Sequence, residues 1–131
     1  MARTADQHWM HRAHALAENG RWNTAPNPRV GCVIVHEGRA IAEGWHAQWG
    51  GDHAEVHALN QLDPADERLL ASTAYVTLEP CNHHGRTPPC TGLLIDRRIP
   101  RIVVGMKDPD PRVSGSGIER LRAAGAEVMV W

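Results

Sequence analysis

The sequence predicts an α/β fold, a three-layer α/β/α sandwich with a mixed sheet of about five strands. Two apolar runs, residues 30–36 and 40–46, are joined by Glu37-Gly38, which is typical of an antiparallel hairpin. Three later β-rich runs alternate with helical segments, a pattern that favours strands connected by helices on both faces of a sheet. The chain has 131 residues and neither an internal repeat nor a linker-like stretch. Residues 1–131 are therefore expected to form one domain.

The N-terminal half is predicted to open with a helix over residues 6–19 that Gly20 ends. Its apolar residues recur at helical spacing on one face: Trp9, Met10, Ala13, Leu16 and Ala17. Two prolines bracket Asn27, so the stretch that contains it is expected to be a rigid loop, neither helix nor central strand. Cys32 lies within the first strand, where a free cysteine is expected to be a small buried residue.

The second half is predicted to begin with a short helix over residues 53–62, with Asp52 as its N-cap. A strand over residues 73–78 follows, and a helix that begins at residue 88 carries Cys90 in its first turn. Thiols at helix N-termini ionise readily, so Cys90 is expected to have a lowered pKa. The remaining elements are predicted in the order strand 102–106, Pro/Gly-rich loop 107–117, helix 118–124 and strand 126–130.

The charge balance argues against a polyanionic partner. The formal net charge is −1, and no basic run is longer than Arg97-Arg98, so nucleic acid is not an expected ligand. No apolar run approaches the length of a membrane span, and the N-terminal residues lack the apolar core of a secretory signal. Three cysteines are an odd number. Together these features predict a protein of the reducing cytoplasm that does not associate with membranes.

Four residues of metal-site chemistry are the functional core of the sequence: His53, Glu55, Cys81 and Cys90. One imidazole and two thiolates can hold Zn²⁺ and leave its fourth tetrahedral position open, which is the layout of a catalytic zinc. Two alternatives compete with this interpretation. The cysteines could form a disulfide, or a histidine between them could complete a purely structural zinc site.

Glu55 stands two residues after the histidine ligand, where its carboxylate can lie beside the metal without binding it. Hydrolytic deamination needs a nucleophile, which zinc provides by lowering the pKa of water to about 7. It also needs a group that carries a proton to a ring nitrogen and to the departing amine, the role predicted for Glu55. The set resembles the signature of zinc-dependent nucleobase deaminases. His57 does not complete the metalloprotease pattern H-E-x-x-H and is expected to pack beside the site.

The spacing of the two cysteines makes the resemblance more specific. Eight residues separate Cys81 from Cys90, whereas most cytidine and tRNA-adenosine deaminases carry P-C-x-x-C. The chain resembles the deaminase domain of the bifunctional riboflavin-biosynthesis deaminase/reductase, diaminohydroxyphosphoribosylaminopyrimidine deaminase, within the cytidine-deaminase-like zinc superfamily. The resemblance covers nearly the whole chain and rests on P-N-P-R-V-G-C-V-I-V, G-W-H, G-G-D-H-A-E-V-H-A-L, Y-V-T-L-E-P-C-N-H-H-G-R-T-P-P-C and D-P-D-P-R-V-S-G-S-G.

The resemblance implies a zinc-dependent hydrolase that converts diaminohydroxyphosphoribosylaminopyrimidine to 5-amino-6-(5-phosphoribosylamino)uracil and ammonia in riboflavin biosynthesis. It assigns the zinc ligands to His53, Cys81 and Cys90 and the proton shuttle to Glu55. It assigns substrate contacts to Asn27, His46, His83, Arg86 and Asp110, and a loop near the ribose-phosphate to residues 108–114. Relatives of this fold associate, so a homodimer or higher homo-oligomer is expected, with a phosphorylated pyrimidine as the small-molecule partner.

Three features depart from the pattern of this family. Asp52 stands where the family has Pro, Asp110 stands where it has Asn, and no reductase domain follows Trp131. A stand-alone deaminase and a portion of a longer chain both fit this sequence. Two alternative functions also stay open. One is deamination of a different aminopyrimidine or base, and the other is a catalytically idle, zinc-stabilised binding module.

Overall fold

The computed structural model describes residues 4–20, 29–46, 51–82 and 89–131. Four helices and five strands follow one another in these segments, with two short 3₁₀ helices at Glu18–Gly20 and Glu67–Ala71. In chain order they are α1 (Thr4–Ala17), β1 (Gly31–His36), β2 (Arg39–Trp45), α2 (Ala54–Leu59), β3 (Ser72–Val76), α3 (Cys90–Asp96), β4 (Arg101–Val104), α4 (Ser116–Ala123) and β5 (Glu127–Val130).

The strands form one mixed sheet in the order β2-β1-β3-β4-β5. β1 is antiparallel to both of its neighbours, whereas β3, β4 and β5 are parallel. β2 therefore runs in the same direction as β3, β4 and β5, and the carboxyl ends of these four strands meet at one edge of the sheet. The predicted five-stranded mixed sheet is confirmed.

The two faces of the sheet are buried against different helices. Cys32 and Ile34 of β1 point into a core that α2, α3 and α4 cover, and Val33 points into a second core that α1 covers. This alternation reflects the two-residue period of a strand, and both faces are apolar because both are packed. The arrangement is the predicted three-layer sandwich, and Cys32 is the buried core residue that the sequence predicts.

Helix α2 lies directly on the backbone of β2. A Cβ atom at Gly44 would lie 2.5 Å from both Ala54 O and Ala58 N, so no side chain fits between the strand and the helix. His57 adds a polar contact, because its Nδ1 lies 3.1 Å from the backbone nitrogen and 3.0 Å from the backbone oxygen of Trp45. The start of α2 is thereby fixed to the end of β2.

A buried ionic cluster connects α1 to the sheet. Asp6 is 1% exposed, and its carboxylate accepts two hydrogen bonds of 2.8 Å from the guanidinium of Arg101. The same carboxylate accepts a 2.6 Å hydrogen bond from the hydroxyl of Tyr75 on β3. Burial and the bond to Asp6 raise the pKa of Tyr75 to about 12. The sequence analysis places Asp6 at the start of the first helix but does not predict this cluster.

The structure corrects two local predictions. Helix α2 has His53 and not Asp52 as its N-cap, because the His53 carbonyl already accepts the first helical bond, from the nitrogen of His57 at 2.9 Å. A 3₁₀ helix occupies Glu67–Ala71, between the predicted helix over residues 53–62 and the predicted strand over residues 73–78, where the sequence predicts no further element. Asp66 caps it by accepting a hydrogen bond from the nitrogen of Arg68.

Among the described residues, no helix is long and apolar enough to cross a membrane.

Candidate metal centre and active site

Three side chains with metal-ligating atoms converge where the carboxyl ends of the strands meet. His53 is the N-cap of α2, Cys81 follows β3 after a short turn, and Cys90 is the first residue of α3. His53 Nδ1 lies 3.8 Å from Cys81 Sγ and 3.4 Å from Cys90 Sγ. Within the part of the chain that the structure describes, this is the one group of three or more such side chains placed for a metal ion.

The distances fit a tetrahedral zinc ion. Zn–S bonds of about 2.3 Å and a Zn–N bond of about 2.0 Å at tetrahedral angles separate ligand nitrogen and sulfur by about 3.5 Å. The two observed N···S distances, 3.4 and 3.8 Å, lie on either side of that value. All three cysteines of the chain are free thiols, which excludes the disulfide alternative. The donor set is one nitrogen and two sulfurs, a combination that binds zinc in preference to hard cations such as Mg²⁺.

The surroundings of the two ligand thiols shift their pKa values in opposite directions. Hydrogen bonds from Cys90, by its thiol and by its backbone nitrogen at 3.2 Å, and from His53 lower the pKa of Cys81 to about 4. The bond to Cys81 and burial raise the pKa of Cys90 above its ordinary value. The sequence predicts a lowered pKa for Cys90 at its helix N-terminus, but in the structure the contact with Cys81 and burial outweigh that effect. Zinc binding to the two thiols would release their protons, so the affinity of this site for zinc depends on pH.

Replacing either thiol should remove the metal. We expect Cys81→Ser and Cys90→Ser to purify with little zinc, in place of about one zinc per wild-type chain, because two ligands hold zinc far less tightly than three. Elemental analysis of purified protein measures this. Cys32→Ala is the matched control, since it removes a buried thiol outside the cluster and should keep its zinc. Active wild-type protein without zinc would contradict the assignment.

Glu55 lies in the first turn of α2 and is 3% exposed. Burial raises the pKa of Glu55 to about 7, although its own backbone N–H partly opposes this effect. The carboxyl group also shares a hydrogen bond with Cys90, so it adjoins the ligand group. A carboxyl group that is half protonated near neutral pH can both accept and donate a proton, which is the property that acid–base catalysis requires.

His46 lies immediately after β2 and faces the metal group. Its ring is perpendicular to that of His53, with the ring centroids 5.5 Å apart, and it is 4% exposed. Its Nδ1 lies 2.9 Å from the carbonyl oxygen of Asp52, which requires an Nδ1–H donor. His57 points the other way, to the backbone of Trp45, and is a packed residue as predicted.

The structure also describes the surroundings of Asp110, a predicted substrate contact. Its carboxylate accepts hydrogen bonds from the backbone nitrogen of Arg112 at 3.0 Å and from its guanidinium at 2.8 Å. The Arg112 guanidinium and N–H lower the pKa of Asp110. The substrate role of Asp110 stays a prediction. The predicted substrate contacts Asn27, His83 and Arg86 lie outside the described residues.

Glu79 is a residue of the site that the sequence analysis does not identify. It is 6% exposed, and its carboxylate accepts four backbone N–H groups from the loop after β4 and the start of α4. Burial alone would raise the pKa of Glu79, but the four donors outweigh it and lower the pKa. All four of its partners are backbone N–H groups, so the sequence carries no signal that identifies this contact.

The fold and the site together define a class of protein. A mixed sheet covered on both faces carries a His-Cys-Cys group and an adjacent buried glutamate, which is the arrangement of a zinc-dependent nucleobase deaminase. Residues 3–106 match the family model described as the cytidine and deoxycytidylate deaminase zinc-binding region. The chain belongs to this family.

Individual proteins that the chain resembles narrow its position within this family. It is 53% identical to the riboflavin biosynthesis protein RibD of Escherichia coli, over 94% of this chain and 33% of that protein. It is 46% identical to the diaminohydroxyphosphoribosylamino-pyrimidine deaminase of Buchnera aphidicola subsp. Schizaphis graminum, over 95% of this chain and 83% of that protein. The solved structure of Acinetobacter baumannii RibD superposes with a TM-score of 0.91 at 48% identity, covering 96% of this chain and 35% of that one. The chain thus spans about a third of the length of RibD and most of the length of the Buchnera deaminase.

Proposed function

We propose that this chain deaminates diaminohydroxyphosphoribosylaminopyrimidine by hydrolysis, giving 5-amino-6-(5-phosphoribosylamino)uracil and ammonia in riboflavin biosynthesis. The observation that carries the proposal is a buried glutamate with a pKa near 7 beside the His53–Cys81–Cys90 group. The 46% identity to a protein named as that deaminase, over most of both chains, supports the choice of substrate. Residues 1–131 form a single deaminase domain in this proposal.

The three ligand side chains would hold zinc, which when bound lowers the pKa of a water molecule and so supplies a nucleophile at neutral pH. The residues of the chain provide the proton transfers. Glu55 accepts a first proton from the water and delivers it to the ring nitrogen next to the reacting carbon. It then takes the second proton, from the hydroxyl now on that carbon, and gives it to the departing amine. The carbon–nitrogen bond breaks, a carbonyl forms, and ammonia leaves, so that water is the only co-reactant.

Other side chains would hold the pyrimidine in place. His46 is supported in this role by its position against His53 and by the bond that fixes its Nδ1 proton. The remaining contacts are proposed on the resemblance alone: Asn27, His83, Arg86 and Asp110.

The test is ammonia release from a panel of aminopyrimidines. The panel contains the phosphoribosylated diaminopyrimidine, its dephosphorylated form, cytidine, deoxycytidylate and free cytosine. Fast release from the first compound alone supports the proposal. Preference for another member would establish a deaminase of a different pathway, and release from none by zinc-loaded protein would establish a binding module.

Arg86→Ala tests recognition of the phosphate. The planar guanidinium donates paired charge-assisted hydrogen bonds, and loss of one partner costs about 2–5 kcal/mol, or roughly thirty-fold and upward in kcat/KM. We expect a higher KM for the phosphorylated substrate and little change for the dephosphorylated one, both measured by steady-state kinetics. Arg39→Ala is the matched control, because Arg39 is exposed at the far end of β2. Equal losses on both substrates would show that Arg86 does not bind the phosphate.

We further propose a cytoplasmic homo-oligomer, at least a dimer. Three free thiols suit a reducing compartment. The chain has five tryptophans, and Trp131 is half exposed; tryptophan is a residue type that is enriched between subunits. Light scattering at micromolar concentration should give a mass of at least two chains, and a monomeric mass would refute this.

A further inference from the structure

Glu79 lies between β3 and Cys81 and accepts four backbone N–H groups with one carboxylate. Oε1 accepts from the nitrogens of Asp108 at 3.0 Å and Gly115 at 2.9 Å. Oε2 accepts from those of Gly117 at 2.9 Å and Ile118 at 3.2 Å. Each oxygen therefore satisfies two donors, and the side chain spans both ends of the loop between β4 and α4.

Helix capping explains only part of this arrangement. Gly117 and Ile118 belong to the first turn of α4, whose N–H groups have no helical partner, and a carboxylate is favourable at a helix N-terminus. Asp108 lies eight residues before the first residue of α4, so its bond to Glu79 serves no cap. That bond holds the beginning of the loop.

Further contacts hold the same loop against the segment that carries Cys81. A Cβ atom at Gly117 would collide with the backbone oxygen of Pro80, so the two backbones touch without a side chain between them. The Asn82 side chain donates to the carbonyl of Ser116 at 3.4 Å. Residues of both segments, among them Pro80 and Val113, also line one small pocket.

We infer that Glu79 is a positioning residue that fixes the loop over residues 106–115 to the Cys81 segment, so that the loop meets the substrate in one conformation. The inference rests on the proposed function, in which Asp110 of this loop contacts the substrate. Glu79 touches neither the substrate nor the reacting atoms. It acts through the loop, by reducing the number of conformations in which the loop binds.

Glu79→Gln separates this role from simple stabilisation. A glutamine has one accepting oxygen, so it can serve the Asp108 and Gly115 pair or the Gly117 and Ile118 pair, but not both. The NH₂ group of the glutamine then faces the other pair of N–H groups and, being a donor itself, cannot accept a hydrogen bond from them. If the binding-competent loop falls to a tenth of its population, the apparent affinity falls tenfold. We therefore expect KM for the phosphorylated substrate to rise about tenfold or more, with zinc content unchanged and kcat changed less than about threefold.

Amide hydrogen exchange gives the second readout, which does not depend on activity. By NMR, the amides of Asp108 and Gly115 should be protected in the wild type although they lie outside helices and strands. In Glu79→Gln, exchange at one or both N–H pairs should accelerate about tenfold or more, while amides of β3 and β4 keep their protection. Glu119→Gln is the matched control, because the same change at an exposed position of α4 should alter neither KM nor loop exchange.

The possible results separate failure of this inference from failure of the proposed function. Unchanged KM and loop exchange in the variant, or equal acceleration throughout the sheet, would overturn the inference. If the variant does not fold, wild-type exchange decides: fast exchange at Asp108 overturns the inference, and protection supports it. If the wild type fails to deaminate the phosphoribosylated pyrimidine, the proposed function fails, and the exchange experiment still tests the loop.

Discussion

Glu55→Gln should fold, bind zinc and turn over substrate about 10²–10⁴ times more slowly than the wild type, the usual contribution of a positioned acid–base group. Glutamine keeps the shape of the side chain and fits the same buried space in α2. It cannot take up and release a proton, which is the property that the pKa of about 7 gives to Glu55. The measurement is kcat from ammonia release at saturating substrate, with zinc content determined on the same sample.

Glu67→Gln serves as the control for the chemical change, because Glu67 is exposed and distant along the chain from the ligands. Its kcat should equal that of the wild type. If Glu55→Gln kept a tenth or more of wild-type kcat with full zinc, another residue would have to carry the protons. Lost zinc in the variant would instead show that Glu55 supports the metal site itself.

Asp6→Ala should lower the free energy of unfolding by about 3–5 kcal/mol, the usual consequence of removing one partner from a buried ion pair. The guanidinium of Arg101 would lose both of its 2.8 Å bonds, and its side chain is only 12% exposed. The hydroxyl of Tyr75 would lose its acceptor as well. Urea denaturation followed by circular dichroism measures the change, with zinc present throughout.

An exposed ion pair is the comparison for this variant. Glu18 and Arg29 lie 3.1 Å apart with side chains 57% and 45% exposed, so Glu18→Ala should cost at most about 1 kcal/mol. A similarly small cost for Asp6→Ala would show that water reaches Arg101 in the variant and replaces the lost bonds. The cluster would then hold α1 in place without stabilising the fold.

The order of helices and strands was predictable because each element carries a local signal. The hairpin turn at Glu37-Gly38 has positive φ at both residues and joins β1 to β2 as expected. The first residues of the elements were less predictable. Asp52 is a residue type that favours the N-cap position, but α2 has His53 at that position, and the His53 side chain makes no capping hydrogen bond. The 3₁₀ helix at Glu67–Ala71 buries Leu69, but five residues are too few to show a periodic apolar pattern in the sequence.

The metal group was predictable because few residue types bind zinc and their spacing is distinctive. Glu79 was not predictable in the same way, since its partners lie 29 to 39 positions further along the chain and offer only backbone N–H groups. Such groups belong to every residue and leave no trace in a sequence. The same holds for Asp6, which contacts Arg101 across 95 positions. Long-range polar contacts of this kind require the tertiary structure.

The direct seating of α2 on Gly44 has a consequence for engineering new substrate preferences. Because backbone touches backbone there, any side chain at position 44 would displace the helix that carries His53 and Glu55, and with it the reacting geometry. A mutant library aimed at another aminopyrimidine should therefore leave Gly44 unchanged. The library should instead vary residues of the loop between β4 and α4, such as Arg112 and Val113, whose backbone N–H groups do not bind Glu79.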